Sequence, residues 1–295
     1  MEYGIKPLGR ERLWLWILLL PTLFGLVFSA FGSLLATIAL SFTHWDLFTA
    51  PIWAGVENYV ALFTDAKFLK SLSNTVVFSV MYVPGVVIIS LLVAVLLTRK
   101  LHGVGIFRTA FYLPAVTSAV ATALVWNMIY GKDTGILNYV LGLFHLAPVC
   151  WLCTSHAMVS VVIVNIWGAI GEGMIIFLAG LTAIPHEYYE AATVDGADGL
   201  KKFLKITLPL ITPSIFFQVL LSTINAFQAY DYIYMLTRQG QGDSTIPVVV
   251  FSIYRNAWFF SNYGGASAQA IELTVIVALL MAFYFWMEKR FVVYE

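Results

Sequence analysis

Long apolar runs alternate with short polar segments along the whole chain. A membrane-spanning helix needs about 20 mostly apolar residues, and six windows meet that requirement. They are residues 14–42, 74–97, 111–130, 157–181, 212–236 and 267–287. The pattern predicts an all-α polytopic membrane protein, in which six transmembrane helices form a single transmembrane domain over residues 1–295.

The composition is typical of an integral membrane protein. Hydrophobic residues make up 60% of the chain and charged residues 11%, with a mean hydropathy of +0.86. Soluble domains carry about 25% charged residues. The net charge of zero gives no basic field for nucleic acid, so no nucleic-acid partner is expected.

The distribution of lysine and arginine predicts the orientation. If the N-terminus is cytoplasmic, eleven of the sixteen basic residues fall in inner segments and five in outer ones. Positive charge near span ends is retained on the cytoplasmic side. We therefore expect a multi-pass protein of the cell membrane with both termini in the cytoplasm. The loop at residues 182–211 is expected on the cytoplasmic side as well.

Two features fall on the predicted outer side. The segment of about residues 43–73 is rich in aromatic residues, which suits either an interfacial belt or a docking surface for an outside partner. Cys150 and Cys153 form a CxxC pair, where a disulfide is chemically permitted in an oxidising compartment. The sequence leaves open whether they pair.

The inner loop breaks the apolar pattern with a charged, helix-forming stretch. Residues 187–213 read EYYEAATVDGADGLKKFLKITLPLITP. Pro185 can open a first helix, which ends at the turn around Asp195 and Gly196. Gly196 is expected to have a positive φ, which a residue with a Cβ resists. The first half of the loop is therefore predicted to be a helix followed by a sharp turn.

A second short helix is predicted to follow. Leu200, Phe203 and Leu204 lie at i, i+3 and i+4, which gives an apolar stripe. Pro209 is expected to stop this helix, and Pro213 to lie in the first turn of the next span. From the residues alone, the hairpin either lies solvated on the membrane surface or binds a partner in water.

Polar residues inside the fourth and fifth spans predict a passage. Such groups are costly in a membrane and usually face a bundle interior or a water-filled cavity. Helical spacing places Asn165, Gly168 and Glu172 on one face of the fourth span. In the fifth span Ser222, Asn225 and Ala229 share a face, with Gln228 next to them and Asp231 close to the outer end. Glu172 either contacts the solute or forms hydrogen bonds within the fold or with a partner subunit. Glu272 in the sixth span is expected to pair with an amide or an arginine.

Several motifs carry a resemblance to a known family. The order Glu190-Ala191-Ala192, Asp195-Gly196-Ala197 and Ile206-Thr207-Leu208-Pro209 resembles the EAA loop of permease subunits in binding-protein-dependent ABC importers. Segments 108–114 (RTAFYLP), 135–138 (GILN) and 177–181 (FLAGL) resemble the carbohydrate class, including the maltose, multiple-sugar and glycerol-3-phosphate permeases. The resemblance covers most of the chain and implies the permease fold of type I ABC importers.

The resemblance implies that the inner loop is a coupling helix that docks on an ATP-binding subunit. Glu190 would be the polar contact, Ala191 and Ala192 the close-packing surface, and Gly196 the turn. The remaining residues of the implied coupling set are Asp195, Leu200 and Phe203. The chain lacks a GxxxxGK[ST] phosphate loop, so ATP and Mg would be held by the partner ATPase. No catalytic residue, cofactor or metal is expected in this chain, which is not an enzyme.

The resemblance also implies a sugar path and three further partners. By comparison with the maltose permease, the contacts fall at Asn165, Gly168, Ala169, Glu172, Ser222, Asn225, Ala226 and Ala229. Glu172 replaces an aromatic residue that stacks on sugar, so the maltose site itself is not expected. Phe227, Tyr230 and Tyr232 could stack on a sugar or simply pack.

The implied partners are a second homologous permease, a dimer of ATP-binding subunits and an extracytoplasmic solute-binding protein that delivers sugar. The stretch at residues 238–265 is a candidate contact for that binding protein. The alternative is a self-sufficient secondary carrier for a polar solute, which would have inverted repeats and interrupted helices. The sequence predicts neither. An intramembrane enzyme is disfavoured because the five histidines are scattered, with no zinc or serine-hydrolase motif.

Overall fold

The computed structural model describes residues 9–98, 102–153, 156–238 and 246–291. These residues are mainly helical, as the predicted all-α class requires. The basic residues Lys6, Arg99 and Lys100 of the orientation argument lie outside them. So do residues 239–245 of the segment that we considered for binding-protein contact.

The described residues form two compact units. One comprises residues 9–64 and 253–272, and the other the described residues from 65 to 252 and from 273 to 291. This division does not test the prediction of a single transmembrane domain, which stays a prediction. Of the three boundaries between the units, one lies between helices at Thr64, and two fall within helices, α14 (Val249–Trp258) and α15 (Tyr263–Phe291).

The smaller unit begins with a long helical stretch that contains a π-helical segment, Leu26–Gly32. A two-stranded antiparallel ribbon follows, in which Thr43 pairs with Trp53 and His44 with Ile52. The helices that flank the π-helical segment are α1 (Gly9–Gly25) and α2 (Ser33–Ser41). The ribbon consists of β1 (Thr43–His44) and β2 (Ile52–Trp53), and α3 (Glu57–Thr64) follows it.

The turn of the ribbon is held by one carboxylate. The Asp46 Oδ1 atom accepts hydrogen bonds from the backbone N–H of Phe48 at 3.0 Å and from that of Thr49 at 2.8 Å. The Thr49 hydroxyl donates a third bond at 2.8 Å. The backbone N–H of Thr49, and next its hydroxyl, lower the pKa of Asp46 below its usual 3.8, because these bonds favour the ionised carboxylate.

The larger unit contains the helices that matter for function. They are α4 (Ala66–Leu97), α5 (Val104–Val116), α6 (Ala119–Ile129), α7 (Ile136–Leu143), α8 (Ala157–Ala183), α9 (His186–Val194), α10 (Gly199–Lys202), α11 (Leu208–Leu210), α12 (Thr212–Phe227) and α13 (Asp231–Arg238). A π-helical segment, Phe203–Thr207, lies between α10 and α11.

Four helical stretches are long and apolar enough to cross a membrane: Leu13–Ser41, Ala66–Leu97, Ala157–Ala183 and Tyr263–Arg290. They correspond to the first, second, fourth and sixth predicted windows. The third window falls on a bent helix pair, and the fifth begins with the second helix of another bent pair, Gly199–Leu210 and Thr212–Phe227. The described chain has up to six spans if each pair is one span. The first stretch has its apolar side chains exposed, and these require lipid or another subunit to cover them.

The third window is not the continuous helix that we predicted. α5 and α6 meet at an angle of 101° across Thr117 and Ser118. Thr117 is extended (φ −82°, ψ 141°), and its hydroxyl bonds to the Leu113 carbonyl at 2.8 Å, which gives that carbonyl a partner outside the helical ladder. The expectation of no interrupted span was therefore wrong. The fifth window is interrupted as well, because α12 ends at Phe227 and α13 begins at Asp231.

The core of the larger unit forms where α4, α8 and α12 pack together. Phe78 and Val86 from α4 are fully buried against Val161 and Val164 from α8. Phe177, also fully buried, belongs to a second cluster further along α8. α8 is therefore held by neighbours along most of its length, which fixes the direction of its remaining polar face.

The segment before α8 is fixed by Asn138. Its Nδ2 atom donates to the carbonyls of Lys132 at 2.8 Å and Val149 at 2.9 Å, and its Oδ1 atom accepts from the Val149 N–H and the Trp151 Nε1–H at 3.0 Å each. Cys150 and Cys153 are joined by a disulfide in this segment, which settles the question that the sequence left open.

Candidate functional site

A central cavity of about 400 Å³ opens on the polar face of α8. Helices α4, α5, α8, α12 and α13 contribute to its wall, and so does the segment between α12 and α13. Its lining comprises Tyr82, Ala115, Asn165, Gly168, Ala169, Glu172, Asn225, Gln228, Ala229, Tyr230, Asp231 and Tyr232. This lining is mainly polar, as a passage for a hydrated solute requires.

The structure brings together seven of the nine residues that we predicted for the path: Asn165, Gly168, Ala169, Glu172, Asn225, Gln228 and Ala229. Helical spacing placed the α8 residues on one face, and Gln228 and Ala229 line the same space from the segment that follows the end of α12 at Phe227. The arrangement can bind several hydroxyl groups at once, because amides offer donors and acceptors and the carboxylate offers acceptors.

Ser222 and Ala226 lie away from the cavity. Ser222 is buried and its hydroxyl accepts a hydrogen bond from the Gln218 Nε2–H at 3.0 Å. Ala226 is buried in the core cluster beside Phe78 and Val164. In this conformation both side chains serve packing within the helix bundle.

Glu172 is exposed on the cavity wall. Among the residues that the structure describes, its carboxylate has no hydrogen bond or ion pair, so the internal pairing that we considered is not present there. An exposed carboxylate at this depth needs water, a solute or another subunit as its partner.

Two aromatic residues whose role we left open also lie at the cavity. Tyr230 and Tyr232 line it, whereas Phe227 is buried and contributes to a separate apolar cavity. The Tyr232 hydroxyl lies 3.1 Å from where a Cβ on Gly168 would be. Glycine at this position therefore lets the ring of Tyr232 lie against α8 and form part of the wall.

Sequence reasoning missed Tyr82 and Ala115, and it noted Asp231 without assigning it to the path. Tyr82 places a polar hydroxyl in an otherwise apolar stretch of α4, two residues before Pro84, and that signal could have been used. Ala115 carries no such signal. Ala115 lies close to the bend between α5 and α6, and the sequence did not predict that bend.

The inner loop forms the predicted hairpin, with one correction. Gly196 has a φ of 72°, as expected for the turn after α9. Pro209 does not stop the second helix, because the chain stays helical to Leu210. The π-helical segment ends two residues before this proline, which lies in the first turn of α11, where a missing N–H costs little. Pro213 lies in the first turn of α12, as predicted.

The hairpin presents most of its predicted coupling residues to its surroundings. Glu190, Ala191, Asp195, Gly196 and Leu200 are exposed, and Ala192 is half-buried. Phe203 instead packs against the second core cluster of the larger unit. The Glu190 Oε1 atom lies 3.1 Å from His186 Nδ1, with both side chains largely in solvent. An exposed surface of small side chains beside a carboxylate suits close approach by a partner.

Contacts within the hairpin hold its two arms together. The Tyr189 hydroxyl lies 3.0 Å from the Thr207 Oγ1 atom, and the Lys202 ammonium donates to the Thr193 Oγ1 atom at 2.7 Å. The Asp198 carboxylate accepts the Lys201 N–H at 2.8 Å and so caps α10. Because these bonds link the arms, a force on the exposed turn is transmitted to both of them.

Two further expectations concerned single groups. The Glu272 Oε2 atom is buried and has no hydrogen-bond partner among the described residues, so the expected amide or arginine pairing is not seen there. Within the same residues, no group of three or more metal-binding side chains comes together.

Comparisons with known proteins agree with this architecture. A family model described as "Binding-protein-dependent transport system inner membrane component" matches residues 52–293. The probable ABC transporter permease protein YesP of Bacillus subtilis (strain 168) is 38% identical over 266 residues, covering 88% of this chain and 85% of that protein. The trehalose/maltose transport system permease protein MalF of Thermococcus litoralis is 31% identical over 285 residues, covering 96% and 95%.

Solved structures have the same fold. One is the crystal structure of a bacterial ABC transporter involved in the import of the acidic polysaccharide alginate, with a TM-score of 0.84, 26% identity and coverage of 95% of this chain and 96% of that one. The family match spans most of the chain, and two relatives that cover more than two thirds of it exceed 30% identity. The chain therefore belongs to the family of binding-protein-dependent transport system inner membrane components.

Proposed function

We propose that this chain is one half of the heterodimeric pore of an ATP-driven ABC importer for a sugar or oligosaccharide. A second homologous permease forms the other half, and an extracytoplasmic binding protein delivers the sugar. A dimer of ATP-binding subunits holds ATP and Mg. Family membership supports the importer, and the polar central cavity supports a hydroxyl-rich solute.

The connection between the hairpin and the cavity carries the proposal. The hairpin leaves α8 through an extended link at Ile184 and enters α12 through the π-helical segment and α11. α8 and α12 both contribute residues to the central cavity. A partner that grips the hairpin therefore acts directly on two walls of the cavity.

This arrangement accounts for alternating access. When the ATPase dimer closes on ATP, it moves the hairpin, and the bonds between the arms carry the movement to α8 and α12 together. Energy enters through the exposed surface around Glu190, and the sugar is held by Asn165, Glu172, Asn225 and their neighbours. The permease itself performs no chemical step.

Co-purification tests the docking role of Glu190. Glu190→Ala removes an exposed carboxylate from the proposed interface, and Glu187→Ala removes one from the first turn of the same helix as a matched control. We expect roughly tenfold less ATP-binding subunit to co-purify with the Glu190 variant, because losing one charged interface contact typically weakens binding by this order. Equal recovery from both variants would contradict a docking role for Glu190.

Uptake into proteoliposomes separates the importer from a secondary carrier. The assembled permeases, ATPase and binding protein should accumulate sugar only with ATP and Mg. Uptake by this chain alone, driven by an ion gradient without ATP, would instead support the carrier. Thermal-shift screening of the binding protein against sugars identifies the sugar to use.

A further inference from the structure

A second cavity of about 490 Å³ lies between α5 and α8, nearer the hairpin end of α8. We name it the inner cavity. It is lined by Arg108, Thr109, Tyr112, Met174, Ile175, Leu178, Ala179 and Thr182. None of these side chains was assigned to the path from the sequence, and none lines the central cavity.

The two cavities lie along the same helix faces. On α8, Asn165, Gly168 and Glu172 line the central cavity, and positions 175, 179 and 182 continue their spacing of three or four residues into the inner one. On α5, Arg108 and Tyr112 line the inner cavity, and Ala115, one turn further on, lines the central one. From residue 165 to residue 182 the helix rises about 25 Å, most of the thickness of a bilayer core of about 30 Å.

The boundary between the cavities is a close backbone contact. A Cβ on Gly171 would lie 2.6 Å from the Phe111 carbonyl oxygen and 2.7 Å from the Tyr112 Cα atom. α5 and α8 thus touch at the level where the lining of one cavity gives way to that of the other. Tyr112 lies at this junction, and its ring forms part of the inner cavity.

The charge changes sign between the cavities. Glu172 and Asp231 are the charged groups among the described residues of the central cavity, whereas Arg108 is the charged group of the inner one. Arg108 is exposed, and its Nη2 atom makes a long contact of 3.5 Å to the Leu97 carbonyl at the end of α4. A guanidinium has five N–H donors, so this single contact leaves most of them for a ligand.

We propose that the inner cavity is the release half of the same route, and that Arg108 binds the hydroxyl oxygens of the sugar as it leaves the central cavity. A planar donor group fits two neighbouring hydroxyls or a sugar carboxylate. This inference rests on the proposed function. The opposing account is that Arg108 only fixes topology and stabilises the C-terminal end of α4.

Thiol labelling tests the route without knowledge of the sugar. Cys150 and Cys153 are the two cysteines of the chain and form a disulfide, so an introduced cysteine is the single reactive thiol. Ala179→Cys and Thr182→Cys place thiols in the inner cavity. Leu113→Cys is the matched control, because Leu113 is exposed on α5 beside Tyr112 but lines neither cavity. The assembled importer, with cysteine-free partner subunits in nanodiscs, is treated with anionic and cationic methanethiosulfonates.

Both inner-cavity cysteines should react well faster than the Leu113 control, since charged reagents need a water-filled path. The ratio of anionic to cationic rates should fall roughly three- to tenfold in Arg108→Gln and persist in Arg108→Lys, as expected for one nearby charge in water. The proposed route is overturned if the inner-cavity cysteines are labelled no faster than the cysteine at position 113. It is also overturned if Arg108→Gln leaves the ratio of anionic to cationic labelling rates unchanged.

Transport then tests the binding role of Arg108. With the sugar identified through the binding protein, Arg108→Gln should lower ATP-driven uptake at least fivefold while the ATPase still co-purifies, and Arg108→Lys should recover part of it. Normal uptake by Arg108→Gln overturns sugar binding by Arg108 but leaves the importer intact. Uptake without ATP in the parent protein overturns the proposed function whatever the labelling gives.

Discussion

Gly171→Ala tests the close contact between α5 and α8 that separates the two cavities. The added methyl would lie 2.6 Å and 2.7 Å from two backbone atoms, about 1 Å inside normal contact distance. Backbone cannot rotate away as a side-chain tip can, so α5 and α8 must separate. Overpacking of this kind destabilises by about 1–3 kcal/mol, and the better helix propensity of alanine offsets about 0.5–1 kcal/mol. We expect a net loss of about 1–2 kcal/mol.

Gly105→Ala is the control, because it adds the same methyl to α5 where no atom lies within 4 Å of it. Unfolding of the purified protein in mixed micelles, followed by circular dichroism as the fraction of dodecyl sulfate rises, compares the variants. Gly171→Ala should unfold at a lower fraction than the parent, and Gly105→Ala at an equal or slightly higher one. If Gly171→Ala matched the control, the backbone contact and the boundary built on it would be refuted.

Three further predictions concern the turn, the α8 entry and the ribbon. Gly196→Ala should lower the transport per ATP hydrolysed, whereas Gly199→Ala should not. Both sites have open space for a methyl group, but only Gly196 has a positive φ, which strains alanine by about 1 kcal/mol. Assays of uptake and of ATP hydrolysis compare the two variants. Asn138→Ala should destabilise the protein by about 2–4 kcal/mol in micelle unfolding, since buried N–H groups lose their acceptor, and a change under 0.5 kcal/mol would contradict the network. The turn held by Asp46 should persist at neutral pH and be lost only below pH 3.8, because a lowered carboxyl pKa stabilises the folded turn at pH values above the usual pKa. The amide chemical shift of Thr49 in isotope-labelled protein should follow this titration, and it should no longer do so in Asp46→Asn.

The motifs predicted local geometry where one physical rule dominates. Gly196 was placed in a turn with positive φ because the sequence DGADG ends one helix and begins another, and its φ of 72° agrees. Pro213 was placed in a first helical turn for a similar reason, since proline loses nothing there. Pro209 was misplaced because it lies in the first turn of α11, where proline is tolerated, and the residue pattern did not predict a new helical turn after the π-helical segment.

The cavity could be predicted in part. Periodicity identified Asn165, Gly168 and Glu172, because residues three, four or seven apart share a face of any straight helix. Ser222 was placed in the path by helical spacing and by comparison with another permease, and Ala226 by that comparison alone. Both are buried instead, because α12 presents them to its own neighbours rather than to the cavity.

The sequence by itself determined that this protein is a helical membrane protein, since long apolar runs leave no other way to satisfy the backbone in lipid. It also determined the hairpin, whose turn and caps depend on neighbours in the chain. Only the tertiary structure decided the 101° bend between α5 and α6, the contact at Gly171 and the course of the inner cavity past Arg108. These features depend on how separate helices approach one another, and that approach is set by packing between residues far apart in the chain.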